Sequence, residues 1–247
     1  MFILKLNLNL HNYTSMKGLF SLILSMLIGM YIYAADFICV KNFSESGFQM
    51  FTFTPVEDTG RFVDPRDGNS YRTVKVGNRV WMAENLRYSK DIPVGTAKSN
   101  KPHVYYPNGN AENVALYGYL YNWYAAGVAC PTGWHLPTNS DWKQLKNSIG
   151  GDNVGSQLAT KADLWNDGSL ERNSSFGKSG FSVLPSGSFD GKIYGNFASF
   201  AYFWSATEYE YYSGNAYYRY IYYNYAGIVS NYSNKSDGFS VRCVKDE

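Results

Sequence analysis

Cysteine and histidine are scarce, three of each in 247 residues. No two cysteines form a C-x-x-C pair, and the histidines at His11, His103 and His135 are scattered, so the spacing fits no zinc centre. There is no G-x-S-x-G elbow, and no closely spaced histidine and carboxylate of the kind a charge relay needs. Phe176-Gly177-Lys178-Ser179 imitates the end of a phosphate-binding loop, but the glycine required five residues before Gly177 is Arg172, so the motif fails. Neither charge sign dominates: 22 basic residues face 20 acidic ones. That balance offers no broad attraction to nucleic acid or anionic lipid. These absences leave no cofactor, no nucleic-acid partner and no catalytic residue to expect.

What is abundant is tyrosine and glycine, 23 of each. Tyrosine-rich, glycine-rich composition is common in extracellular β-rich and binding proteins. Long apolar runs are confined to the start. Residues 17–35, KGLFSLILSMLIGMYIYAA, have a charged beginning, an apolar middle and small residues at the end, the pattern of a secretory signal. Met16 is then the expected true start. An uncleaved anchor is the alternative, although the run is at the short end for spanning a bilayer, and no stable membrane domain is expected beyond it. Residues 36–60, mixed and containing Pro55 and Gly60, read as a linker or short N-terminal extension, and 61–247 as the folded domain. Cys39 is preceded by Asp36-Phe37-Ile38, not by the small residues that lipid attachment favours. An oxidising compartment permits a disulfide. The expected pair is Cys130 with Cys243, leaving Cys39 unmatched.

Strand signals open the domain. Tyr71, Thr73 and Lys75 alternate with Arg72, Val74 and Val76, Gly77-Asn78 is a two-residue hairpin turn, and Val80-Trp81-Met82 begins the return. Residues 89–115, rich in Pro, Asn, Lys and Gly, read as a long loop. Leu116 to Ala126 fits a helix or a buried strand, with the spacing of its apolar residues favouring the helix. The segment CPTGWHLPTNSDW, Cys130 to Trp142, is a rigid corner. Trp134 and Leu136 pack before it, Pro137 sets the entry angle, and Thr138 with Asp141 forms a capping box for a helix over Thr138–Ile149. Trp142, Leu145 and Ile149 supply its buried stripe, and Gly150-Gly151 stops it. His135 is expected to be a hydrogen-bonded structural residue. Beyond 151 the reading gives glycine-punctuated short runs and no helix. Strands are expected at Gly180–Leu184, at Phe203–Thr207 and over Asn215–Tyr225, with Ile228-Val229 continuing the last. In the closing run Phe239, Val241 and Cys243 share one face, and Ser240 and Arg242 the other.

Three candidate sites emerge. Trp165-Asn166-Asp167 contains oxygen donors of the type calcium takes, but no partner motif precedes it, and Asn166-Asp167-Gly168 reads more simply as a turn. Glu208 and Glu210 could act as paired carboxylates, but only if a cleft joined them, or Glu84, to His135. The tract from Tyr202 to Tyr232 holds eleven tyrosines. Alternation sends about half of them into the core and leaves the rest facing solvent with Arg219 or Asn224. Tyr217, Tyr218, Arg219, Tyr220, Tyr222, Tyr223 and Tyr225 are the ligand-binding candidates, because exposed tyrosine contributes stacking area at low conformational cost.

Five ordered blocks, YRTVKVGNRVWMAENLRY, CPTGWHLPTNSDWKQL, GFSVLPSG, FWSATEY and KSDGFSVRCVKD, resemble the Fibrobacter succinogenes major paralogous domain over about residues 61–247. That family comprises secreted or surface proteins, many from gut Bacteroidota, with an undefined biochemical role. HLPTNSDW and GFSVR also resemble blocks of the formylglycine-generating enzymes. This second resemblance implies an α+β, C-type-lectin-like domain with twisted antiparallel strands, few short helices and long loops. The stretch corresponding to that enzyme's reactive cysteines, Ala216–Gly227, contains no cysteine, so its chemistry does not carry over. The resulting expectation is a secreted, periplasmic or cell-surface non-enzymatic binding module for a glycan or surface protein. A structural or adhesive envelope component is the alternative, and a carbohydrate-active enzyme a third.

Overall fold

The computed structural model describes residues 60–151 and 153–247. The expected signal segment at 1–35, Cys39 and all but the last residue of the 36–60 linker lie outside the described residues. The domain is built mainly from short antiparallel strands, with few short helices. A five-stranded sheet takes β1 (Arg61–Val63), β2 (Ser70–Val76), β3 (Arg79–Met82), β12 (Val244–Lys245) and β6 (Trp134–His135) in that spatial order. A longer, curled antiparallel sheet takes β9 (Phe200–Glu208), β10 (Asn215–Tyr222) and β11 (Tyr225–Asn234), with β10 in the middle. Two small ribbons complete the strands: β4 (Val104–Tyr105) with β5 (Leu120–Tyr121), and β7 (Ser188–Phe189) with β8 (Tyr194–Gly195).

The β2–β3 hairpin turns at Gly77-Asn78 as its sequence requires, with Val76 opposite Arg79 and Gly77 at φ +61°. The capping box is also present. Helix α3 (Asn139–Ile149) starts behind Thr138, whose side chain accepts from the Asp141 amide while the Asp141 carboxylate accepts from the Thr138 amide. Trp142 and Leu145 are buried from this helix and Ile149 is half-buried. Pro137 is buried at its entry, and its carbonyl accepts from the Ala206 amide on β9, 2.8 Å away.

Other segments depart from expectation. Leu116–Ala126 is divided: α1 (Val114–Tyr117) ends at Gly118, β5 follows, and α2 (Trp123–Ala129) begins behind Asn122, which caps the Ala125 amide. The 89–115 loop contains β4 and two 3-10 turns. A helix does occur after 151, α4 (Val154–Leu158), packed on β11 where Gly155 meets Gly227. A Cβ on Gly155 would lie 2.1 Å from the Gly227 carbonyl oxygen, so only glycine permits this approach. Gly180–Leu184 makes only one isolated bridge, Val183 to Ala159. Ile228-Val229 does not continue β10. The chain reverses at Tyr223-Asn224, and both residues lie on the antiparallel return strand.

The closing segment runs through the centre. Phe239 exchanges backbone hydrogen bonds with Tyr121, Ser240 bonds Tyr202 and Trp204, and the Val241 and Cys243 carbonyls accept from Leu86 and Met82. Val244 then pairs with both Trp81 and His135. Phe239, Val241 and Cys243 enter one core with Tyr71, Tyr202 and Trp204. The other face is covered as well. Arg242 lies over the rings of Phe181 and Phe203, which belong to a second core built around Trp81 and Trp142. Cys243 is bonded to Cys130, with 5.8 Å between their Cα atoms.

Two expected outcomes follow from this frame. The bridge joins residues 113 apart. Replacing both cysteines by serine should lower unfolding stability by about 4–5 kcal/mol on chain-entropy grounds, read from urea midpoints; a change under about 1 kcal/mol would show that the frame holds without it. Burial raises the affinity of the Asp141 carboxyl for its proton, but hydrogen bonds from the Thr138 hydroxyl and amide, with the charges of Arg79 and His135, outweigh burial and hold it below the usual carboxylate range. Its stabilisation is therefore complete above the unfolded value of about 4 and fades as pH falls below that. Asp141→Asn should cost about 1–2 kcal/mol at pH 7, and the gap from the parent protein should close as melting curves are taken from pH 5 toward pH 2.

Candidate functional site

The tyrosine tract is separated by strand geometry. On one face of the curled sheet, cross-strand pairing puts Trp204 beside Tyr218, Tyr202 beside Tyr220, Phe200 beside Tyr222, and Tyr222 beside Tyr225. The rings form a graded row. Trp204 is fully buried, Tyr202 is buried and packed on Phe239 at 5.0 Å, Tyr218, Tyr220, Tyr222 and Phe200 are half-buried, and Tyr225 is 44% exposed. From Tyr202 to Tyr225 the ring planes are nearly parallel and each ring is stacked on the next. The interplanar angle is 5° for Phe200–Tyr202, 14° for Phe200–Tyr222 and 22° for Tyr222–Tyr225, at centroid separations of 5.5, 5.2 and 5.6 Å. Burial raises the phenol pKa values of Tyr218 and Tyr220, so both stay neutral donors.

The remaining candidates lie elsewhere. Tyr217 is on the opposite face, where its hydroxyl donates to Glu210 at 3.0 Å and its ring meets Tyr209, itself stacked on Tyr232 at 3.8 Å. Arg219 shares that side. It does not face open solvent as alternation implies: its guanidinium donates to Asn139 Oδ1 at 3.0 Å and to the Tyr218 carbonyl, and burial pulls its pKa down to about 10. Tyr223 sits in the reversal, with its carbonyl accepting from the Leu170 amide and its ring against the second core. Tyr218, Tyr220, Tyr222 and Tyr225 are thus brought together, while Tyr217, Arg219 and Tyr223 are not among them. Phe200 and Tyr202 complete the row. Reading the strand from Phe203 missed Phe200; aromatics at every second position from 200 to 204 were the available signal.

The carboxylates proposed for catalysis occupy separate networks. Glu208 pairs with Lys235, Glu210 accepts from Tyr217, and Glu84 pairs with Arg72 and Arg87. His135 bonds Asp246 and Asp141 as a structural tie between the corner and the chain end. Asp167 of the Trp-Asn-Asp triplet is taken by Arg172, and Asn166 donates to Ser199.

A cleft of about 1060 Å³ was not foreseen from sequence. Arg72, Arg87, Arg242 and Lys161 line it with Glu84. Arg242 is 1% exposed. Its guanidinium donates to Asn85 Oδ1 at 2.6 Å, to the Met82 and Phe181 carbonyls, and to the Ser182 carbonyl at 2.7 Å. Successive carbonyls of a strand point in opposite directions. Those of Phe181 and Ser182 converge because Ser182 leaves the extended region at φ +60°. This arrangement removes Gly180–Leu184 from any sheet. Burial lowers the Arg242 pKa to about 9, with the Glu84 charge opposing.

Comparison with known proteins adds one assignment. The family described as the Fibrobacter succinogenes major domain matches residues 74–245. No curated protein and no solved structure matches the chain. The match covers both cysteines of the bridge, the capped corner, the aromatic row and the closing segment, and the chain belongs to the Fibrobacter succinogenes major domain family.

Proposed function

We propose that this protein is a secreted or cell-surface, non-enzymatic binding module that takes glycan on the aromatic row of its curled sheet. The observation that carries the reading is the stacked, near-parallel series of Phe200, Tyr202, Tyr222 and Tyr225, running from buried Tyr202 to exposed Tyr225. The face of an aromatic ring is electron-rich and its surface apolar. A pyranose presents polarised C–H groups on one face and hydroxyls at its rim. Stacking buries the C–H face, while phenol hydroxyls such as those of Tyr220 and Tyr222 supply donors and acceptors for the rim. Because the buried end of the row is anchored in the core, little side-chain freedom remains to be lost on binding.

A C-type-lectin-like reading of the fold agrees with this assignment. It is supported by the antiparallel strands, the few short helices and a closing segment that pairs with both the first hairpin and the corner strand. The apolar run at residues 17–35 supports export.

A glycan array probed with the parent protein should return a saccharide class, and titration calorimetry with that saccharide should show Tyr222→Ala with Tyr225→Ala weakening binding about 10-fold, the sum of two stacking contacts of about 0.5–1.5 kcal/mol each. The melting temperature of the double variant should stay within a few degrees, since Tyr222 is half-buried and Tyr225 exposed. A blank array, or equal affinity in the double variant, would remove the aromatic row as a glycan site.

A further inference from the structure

The basic cleft is independent of the aromatic row and has its own electrostatic problem. Four cationic side chains, Arg72, Arg87, Lys161 and Arg242, line it against one carboxylate, Glu84. Glu84 is already divided: Oε1 accepts from Arg72 Nε at 3.0 Å and Oε2 from Arg87 Nη1 at 3.1 Å. Arg242 is held only by carbonyl and amide oxygens. These satisfy its N–H groups but carry no net charge, and a buried charge is ordinarily paired with an opposite one. Arg72 spends only Nε, so among the described residues its two terminal nitrogens make no hydrogen bond, and its side chain is 40% exposed. A planar pair of N–H groups facing open space matches the geometry of a carboxylate.

Two non-glycine residues at the rim also hold left-handed backbone, Lys161 at φ +53° and Ser182 at φ +60°. Such conformations cost of order 1 kcal/mol or more each and persist where surrounding structure imposes them. Ser182 turns its carbonyl to Arg242. Lys161, exposed, is placed at the mouth. The rest of the wall is of two kinds. Asn69, Ser70 and Thr160 present hydroxyl and amide groups, while Leu116 and Tyr119 present an apolar surface, with Leu116 41% exposed.

We infer that this cleft is a second binding site, selective for an acidic sugar whose carboxylate pairs with Arg72 and Lys161 above the buried charge of Arg242. The polar wall suits the sugar hydroxyls, and Leu116 with Tyr119 suits its C–H face. Pairing there would balance the uncompensated positive charge, so the bound carboxylate gains more than a surface ion pair would.

The test is titration of the chain with sodium D-glucuronate at constant ionic strength, followed by NMR at the arginine Nε–Hε signals, with glucose, sodium acetate and sodium sulfate as parallel arms. Saturable shifts at Arg72 and Arg242 are expected with glucuronate, at least fivefold tighter than with acetate or sulfate, and none with glucose. Arg72→Gln should weaken glucuronate at least tenfold. Lys161→Asn, which keeps a residue tolerant of left-handed backbone, should weaken it several-fold without loss of the folded spectrum and stands in should Arg72→Gln fail to fold. Tyr222→Ala should leave this affinity unchanged, so failure here and failure of the aromatic row are distinguishable. Absence of saturable shifts in the parent protein, sulfate binding as tightly as glucuronate, or undiminished affinity in Lys161→Asn would each overturn the inference.

Discussion

The constraint on which most of this structure depends is the hydrogen-bonding demand of one central segment, Phe239 to Lys245. Its backbone supplies partners to Tyr121, Tyr202, Trp204, Leu86, Met82, Trp81 and His135. A loop-rich domain of short strands has few long ladders, and each buried amide left unpaired costs about as much as a lost hydrogen bond. Threading one strand through the middle meets that demand for several regions together. Its side chains then divide the interior, with Phe239, Val241 and Cys243 entering one core and Arg242 spanning toward the other.

Arg242 shows how such a division can hold. A guanidinium between two aromatic clusters would be costly if its donors were unmet. Here Asn85 and the carbonyls of Met82, Phe181 and Ser182 surround it, and the rings of Phe181 and Phe203 lie against its planar face. This single side chain fixes the path of 180–184, where the backbone bends to serve it. The curled sheet works in the opposite way. Its row of rings is aligned by the register of ordinary cross-strand pairing, with no buried charge to serve.

Much of the frame was legible because it rests on local rules. The hairpin at Gly77-Asn78, the Thr138–Asp141 box, the Cys130–Cys243 pair and the alternation of the closing strand each follow from a few neighbouring residues or from the cysteine inventory. What escaped was decided at a distance. Gly180–Leu184 has the composition of a strand, but the demand of Arg242, sixty residues later, takes its carbonyls out of a ladder. The reversal after β10 uses Tyr223-Asn224, without the glycine that marks most tight hairpins, so the tract reads as one long strand. Tyrosine alternation located the row but not its far wall, because Phe200 comes from another strand. The basic cleft has no contiguous signal at all, since Arg72, Lys161 and Arg242 are gathered from the beginning, middle and end of the domain.

The position of the bridge has a consequence for how the molecule is made. Cys130 must wait for a partner 113 residues downstream, and the central segment that joins both cores is made only after the rest of the described domain that it ties together. Neither core can be sealed before that segment has been made, and the contacts that close the domain span most of its described length. Such long-range topology is associated with slow assembly. Until the segment 239–245 has emerged, neither the bridge nor the backbone pairs that join the two cores can form.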